Sequence, residues 1–190
     1  MTTPGRRPST TRSRISAIAI DLFTERGFDE TSVDDIAAAA GIARRTLFRY
    51  YPSKNAIAWG DFDTHLAGMR GHLAGLPPTM GLADALRSSL VAFNHLDPAE
   101  VPAHRRRMAL LLTVPALQAH SMLMYAGWRQ VVADYVAGVT DERPGDHRPQ
   151  TIAWLLLGVA LAAYGQWLAD DDADLDHLLT QGSRILDRGL

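Results

Sequence analysis

Residues 31–54 read TSVDDIAAAAGIARRTLFRYYPSK, and this stretch constrains the chain more than any other. Ser32 with Asp35 three residues on forms a capping box in which Asp replaces the usual Glu, so a helix starts there and runs through Ile36 to Ala40. Gly41 permits the positive φ of a tight inter-helix turn. A second short helix is expected over about 43–50. Pro52 and Ser53 break the chain and cap the helix that follows. Two short helices joined by a glycine turn make a helix-turn-helix. Ile36 and the small Ala37 and Ala40 let the two helices cross closely, Ile42 anchors the turn, and Leu47 and Phe48 are expected to pack back on the first helix.

That packing leaves Arg44, Arg45, Thr46 and Arg49 on the outer face. The N-terminal part of such a second helix is the part that reaches base edges in a major groove. Arginine pairs bidentately with guanine, and the threonine methyl can touch thymine. Tyr50 can offer a hydroxyl to the phosphate backbone. Lys54 stands in the first turn of the next helix, where the helix dipole prefers an acid, and a nearby phosphate would turn that misfit into an advantage. Ser32, the cap of the first helix, is counted with these candidate DNA contacts. Alone, such a charge run would be a solvated helix face; inside a helix-turn-helix it points to DNA. Which arginines read bases and which hold phosphates stays open.

The formal net charge of -2 argues mildly against a nucleic-acid partner. It is the wrong scale. Residues 1–59 carry nine basic and six acidic groups, while the remainder carries ten basic and fifteen acidic. A basic head sits on an acidic body. Residues 1–9 hold Arg6 and Arg7 and no apolar run, so they read as a flexible basic arm and not as a signal peptide.

The rest of the chain is helical in pattern. Ile15, Ile18, Ala19, Leu22 and Phe23 line one face of a first helix, with Thr10 or Thr11 as its cap and Gly27 after its end. A fourth helix is expected from Lys54 towards Leu73. Further helices are expected at about 80–96, 102–112, 115–139, 150–169 and 173–187. No segment shows sustained β alternation, so the class is all-α. Residues 152–165 form a 14-residue apolar run, short of the roughly 20 a membrane span needs, and read as a core or interface helix. The chain has no cysteine, which excludes disulfide scaffolds, thiolate-bound metal and thiol catalysis. His65 and His72 are two turns apart, too far for joint chelation, so no metal or other cofactor is expected. No nucleophile elbow and no phosphate-binding glycine loop appears, so no catalytic residue is assigned.

Thr31 to Lys54, preceded by the Ile15…Phe23…Gly27-Phe28 helix, resembles the DNA-binding domain of TetR-family transcriptional regulators over about residues 10–60. The resemblance implies a helix-turn-helix domain over 10–55 and a helical effector-binding and dimerisation domain over 56–190. Its recognition helix falls on Ala43–Tyr50 and its phosphate-contacting aromatic and lysine on Tyr50 and Lys54. Two positions depart: Ala43 stands where Ser or Thr usually caps the recognition helix, and Phe48 where Tyr is frequent. Within the family, ARRTLFRYYPSKNAIAWGDFDTHL, AFNHLDPAE and HRRRMALLLTVPALQAHSMLMYAGWRQVV are similar to the mycofactocin-system regulators. That likeness implies a cytoplasmic bacterial repressor, nucleoid-associated when DNA-bound, with a long-chain acyl-CoA as a candidate effector.

On this reading the partners are double-stranded operator DNA, a second copy of the chain and a small apolar effector, with no membrane. Met108, Met122, Met124, Tyr125 and Trp128 could line a pocket or simply fill the core. Arg105, Arg106 and Arg107 could meet effector phosphates or pair with Glu100 or Asp97. Arg129 is a candidate for a ligand charge or a buried ion pair. The 152–168 and 173–187 helices suit a dimer bundle, and two half-sites need two recognition helices. Three alternatives stay in play: an enzyme, a helical ligand-binding module without DNA, and an activator in place of a repressor.

Overall fold

The computed structural model describes residues 11–188, so the arm expected at 1–9 lies outside the described residues. Ten α-helices follow one another: α1 Arg12–Arg26, α2 Val33–Ala39, α3 Arg44–Tyr50, α4 Lys54–Trp59, α5 Phe62–Ala74, α6 Leu82–Asn94, α7 Val101–Thr113, α8 Pro115–Thr140, α9 His147–Ala169 and α10 Leu175–Arg188. No strand occurs among the described residues.

The head is α1 to α3. Thr11 caps α1 by accepting from the Arg14 N–H at 3.2 Å. Ser32 and Asp35 form the expected capping box at α2, with each side chain bonded to the other's backbone N–H. Gly41 takes φ +68° in the turn to α3. Ala43 leaves the start of α3 without a side-chain cap, a deficit of about 1 kcal/mol against Ser or Thr. Ile15, Phe23, Ile36, Ala37, Ala40 and Leu47 close the head core, and Ile42 packs at its edge. Phe48 departs from expectation. It stands 41% exposed, with the Arg44 guanidinium 5.6 Å from its ring centroid. A seven-residue helix turns only one side inward, and Leu47 occupies it.

The expected fourth helix is two helices. α4 ends at Trp59, Gly60 turns the chain with φ +68°, and α5 starts at Phe62. α4 is one joint between head and body, packing on α1 and on α7 and α8, and α7 packs directly on α1 as well. The Ser16 hydroxyl donates to Ile57 O at 2.7 Å and the Tyr51 hydroxyl to Arg12 O at 2.9 Å, tying α1 to the chain around α4.

The body is built on α8, α9, α10 and α6. α9 is long and apolar enough to cross a membrane by composition, with a mean hydropathy of 1.6 over its most apolar window. Its Ala153, Leu156, Leu157, Ala160, Ala163, Tyr164 and Trp167 are instead buried within the protein, where α9 packs against α8 and α10.

Candidate nucleic-acid interface and internal cavity

α3 presents its basic side chains outward. Arg44, Arg45 and Arg49 are exposed, and Thr46 is half-buried. Arg44 pairs with Asp34 of α2 at 2.8 Å, both side chains being open to solvent. Such a surface pair contributes about 0–1 kcal/mol and yields readily to a phosphate. Arg45 and Arg49 make no ion pair with a described residue. Ser32 is exposed, but its hydroxyl already serves the α2 cap. Tyr50 is half-buried against the core.

Lys54 has a structural reason that its sequence position hides. Its Nζ donates to Phe28 O at 2.8 Å and to Thr31 O at 3.1 Å, and sits 4.1 Å from the Phe28 ring centroid. The α1–α2 loop has carbonyls that no helix satisfies, and the ammonium meets two of them. The lysine that opposes the α4 dipole thus laces α4 to the loop before any DNA arrives.

Between α1 of the head and the body lies a cavity of about 510 Å³, in the usual range for small-molecule sites, with Ser13 and Ser16 of α1 in its lining. Trp59, Phe62, Phe93 and Trp128 line its apolar wall together with Met108 and Leu111. The rings meet edge to face in sequence: Trp59 on Phe62 at 4.9 Å, Phe62 on Phe93 at 6.1 Å, Phe93 on Trp128 at 6.3 Å. The lining also carries a polar relay. Tyr164 donates to Asn94 Oδ1 at 2.9 Å, His104 Nε2 lies 2.8 Å from the Tyr164 hydroxyl, and Asn94 Nδ2 donates to Leu90 O at 2.7 Å. Burial, with the nearby Arg107 and His65 charges, lowers the His104 pKa to about 4. The imidazole is therefore neutral near pH 7 and can donate Nε2–H to Tyr164. Burial raises the Tyr164 phenol, which keeps its proton.

The three consecutive arginines of α7 go to three places, because successive helical residues point about 100° apart. Arg105 stacks 4.3 Å from the Trp167 ring centroid and pairs with Asp171 at 3.1 Å. Arg106 pairs with Asp21 of α1 at 3.2 Å. Arg107 lines the cavity and donates to Ala58 O at 3.3 Å. None pairs with Glu100 or Asp97 among the described residues: the acids that answer Arg105 and Arg106 come from other elements. Of the other expected pocket residues, Met108, Tyr125 and Trp128 line the cavity. Met122 faces outward at 52% exposed, and Met124 packs on the core outside the cavity lining. Arg129 makes no ion pair among the described residues; its guanidinium sits 3.5 Å from the centroid of the half-exposed Trp154 ring, with Nε and Nη1 buried and without a hydrogen-bond partner.

His104, Asn94 and Tyr164 are polar cavity residues that the sequence does not single out, and it names Arg107 only as one of three. Tyr164 even sits inside the apolar run of α9. The only signal was the arginine cluster, which does not say which of its members turns inward.

A helix-turn-helix head packed through α1 on α4 and α7 of a helical body has the plan of a helix-turn-helix transcription regulator. Residues 15–58 match the family described as bacterial regulatory proteins, tetR family, and residues 80–190 match the MftR C-terminal domain. The chain belongs to the TetR family of transcriptional regulators and is not an enzyme. It is 54% identical over 186 residues to the Mycobacterium tuberculosis protein named as mycofactocin biosynthesis transcriptional regulator MftR, covering 98% of this chain and 94% of that one. Among solved structures it is similar to Thermus thermophilus FadR, a TetR-family repressor in complex with lauroyl-CoA, with TM-score 0.63, 25% identity and 95% of both chains covered. Bacillus subtilis FadR shares the fold, with TM-score 0.65 at 15% identity over 93% of this chain and 97% of that one.

Proposed function

We propose that this regulator is a cytoplasmic repressor, nucleoid-associated when DNA-bound. It binds a palindromic operator as a homodimer and is released by an apolar effector, a long-chain acyl-CoA thioester being the best candidate. The observation that carries the reading is the 510 Å³ cavity whose wall includes Trp59 and Gly60, at the end of α4. An occupant of that cavity touches both helices that pack on α1 of the head, α4 at Trp59 and α7 at Arg107 and Met108. It shifts the head only as far as it favours one α4 position over another. The lauroyl-CoA bound by the similar Thermus regulator supports the acyl class. The likeness to MftR supports a role in mycofactocin control.

On the DNA side, Arg44, Arg45, Thr46 and Arg49 enter the major groove, while Ser32, Tyr50 and Lys54 approach phosphates. Dimerisation uses the outward face of α8 to α10, where Met122, Leu123, Trp154, Leu155 and Ile185 stay exposed. Arg129 on Trp154 belongs to that face and not to the effector site. The test is a DNA-shift assay on the regions upstream of its own and neighbouring genes, titrated with acyl-CoAs and with unrelated apolar ligands. Release by acyl-CoAs is expected. Release only by the unrelated set would remove the acyl assignment and leave the repressor reading standing.

A further inference from the structure

Arg107 is a cation placed where a cation is costly. It is half-buried at the cavity wall, and among the described residues no carboxylate pairs with it. Its one hydrogen bond among the described residues is the 3.3 Å contact to Ala58 O. Burial alone lowers its pKa, and the only opposing influence is the Tyr51 phenol. The carboxylates that also line the cavity are engaged or remote: Asp61 faces Arg12 at 3.7 Å, and Glu100 is exposed. A partly desolvated guanidinium with one neutral acceptor has donors to spare, and two further cavity-lining groups, Trp59 Nε1 and the Tyr125 hydroxyl, are buried with no hydrogen-bond partner among the described residues. The neighbouring relay of His104, Tyr164 and Asn94 is the opposite case, because its members satisfy one another.

The acceptor Arg107 does have is informative. Ala58 O is one of the last carbonyls of α4, which no intrahelical N–H reaches. A cation there also suits the helix C-terminus. The contact exists because Gly60 has no side chain: a Cβ at that position would lie 2.5 Å from Arg107 Nη1. The free donors of Arg107 thus line an apolar cavity while one holds the end of the joint helix.

We propose that Arg107 is the residue that selects the effector, taking the acyl oxygen at the head of a long apolar chain in exchange for the Ala58 carbonyl. This rests on the acyl reading above. The oxygen can come from a carboxylate or from a thioester carbonyl; both are acceptors for a guanidinium, and the charged one is bound more tightly. Because the same group caps α4, reading the effector and loosening the head–body joint are one event.

The test uses palmitate, palmitoyl-CoA and S-hexadecyl-CoA, a thioether with the same chain and nucleotide but no acyl oxygen. Calorimetry without DNA measures binding, and fluorescence anisotropy on operator DNA measures release. The native protein should bind palmitate or palmitoyl-CoA about tenfold or more tightly than the thioether. Arg107→Gln should bring the three within about twofold. A preference for palmitate assigns the oxygen to a carboxylate, and a preference for palmitoyl-CoA assigns it to a thioester. Retention of the acyl preference, or native release by palmitoyl-CoA, in Arg107→Gln would overturn this inference alone. Failure of all three ligands to bind the native protein, while unrelated apolar ligands still release DNA, would overturn it together with the acyl reading.

Discussion

The head and the body use arginine in opposite ways. On α3, Arg45 and Arg49 stand in solvent with no ionic partner among the described residues, ready to meet a polyanion. In the body, Arg107 is half-buried at the cavity wall, with one neutral acceptor among the described residues. Solvated charge costs nothing to hold and gives long-range, salt-sensitive attraction. Partly desolvated charge is costly to hold and gives selectivity, because a wrong ligand leaves it unpaired. α4 connects these two uses, with Lys54 at its start holding the α1–α2 loop and Arg107 at its end holding Ala58.

The largest expected effect is on the head's core. Leu47 is fully buried, so Leu47→Ala should cost about 2–5 kcal/mol. A denaturation midpoint well below native, with operator binding lost, is the expected outcome. A midpoint within error of native would mean that α3 is not held by that side chain.

The body should show its enclosure through pH. The folded His104 pKa of about 4 lies below its ordinary 6.5. Between those values the unfolded chain binds the extra proton, so stability rises with pH across that window and is lost as pH falls through it. The slope is at most about 1.4 kcal/mol per pH unit. His104→Gln, which keeps a donor for Tyr164, should flatten that part of a melting-temperature profile. An unchanged profile would place the titration elsewhere.

The smallest effect concerns α3's missing cap. Ala43→Ser should add about 0.5–1 kcal/mol in thermal melts, and a loss of stability would contradict the extended Ala43 geometry.

This contrast also explains what the sequence could disclose. Ser32 and Asp35, Gly41 and Leu47 act on neighbours within a few residues, so the helix-turn-helix was legible before any coordinates. Most helix ends beyond it were legible too, because Pro and Gly punctuate them. The break at Gly60 was not, because its partner, Arg107, lies far along the chain. Nor could the sequence separate Arg105, Arg106 and Arg107, whose destinations depend on helical rotation against Trp167, Asp21 and the cavity. Phe48 was misplaced for a similar reason: an aromatic on a short helix follows whichever face is free. Lys54 was read correctly as a misfit to the helix dipole, while its two carbonyl partners came from a loop that only the fold brings near.

The central claim is that the head's exposed arginines bind DNA. Operator affinity measured by anisotropy between about 50 and 200 mM salt tests it most directly. The log of the binding constant should fall linearly and steeply with log salt. Arg45→Ala should either reduce that slope by about one unit, if Arg45 holds a phosphate, or loosen base preference at unchanged slope, if it reads a base. Affinity that does not respond to salt, or an Arg45→Ala variant unchanged in both slope and sequence preference, would contradict the account.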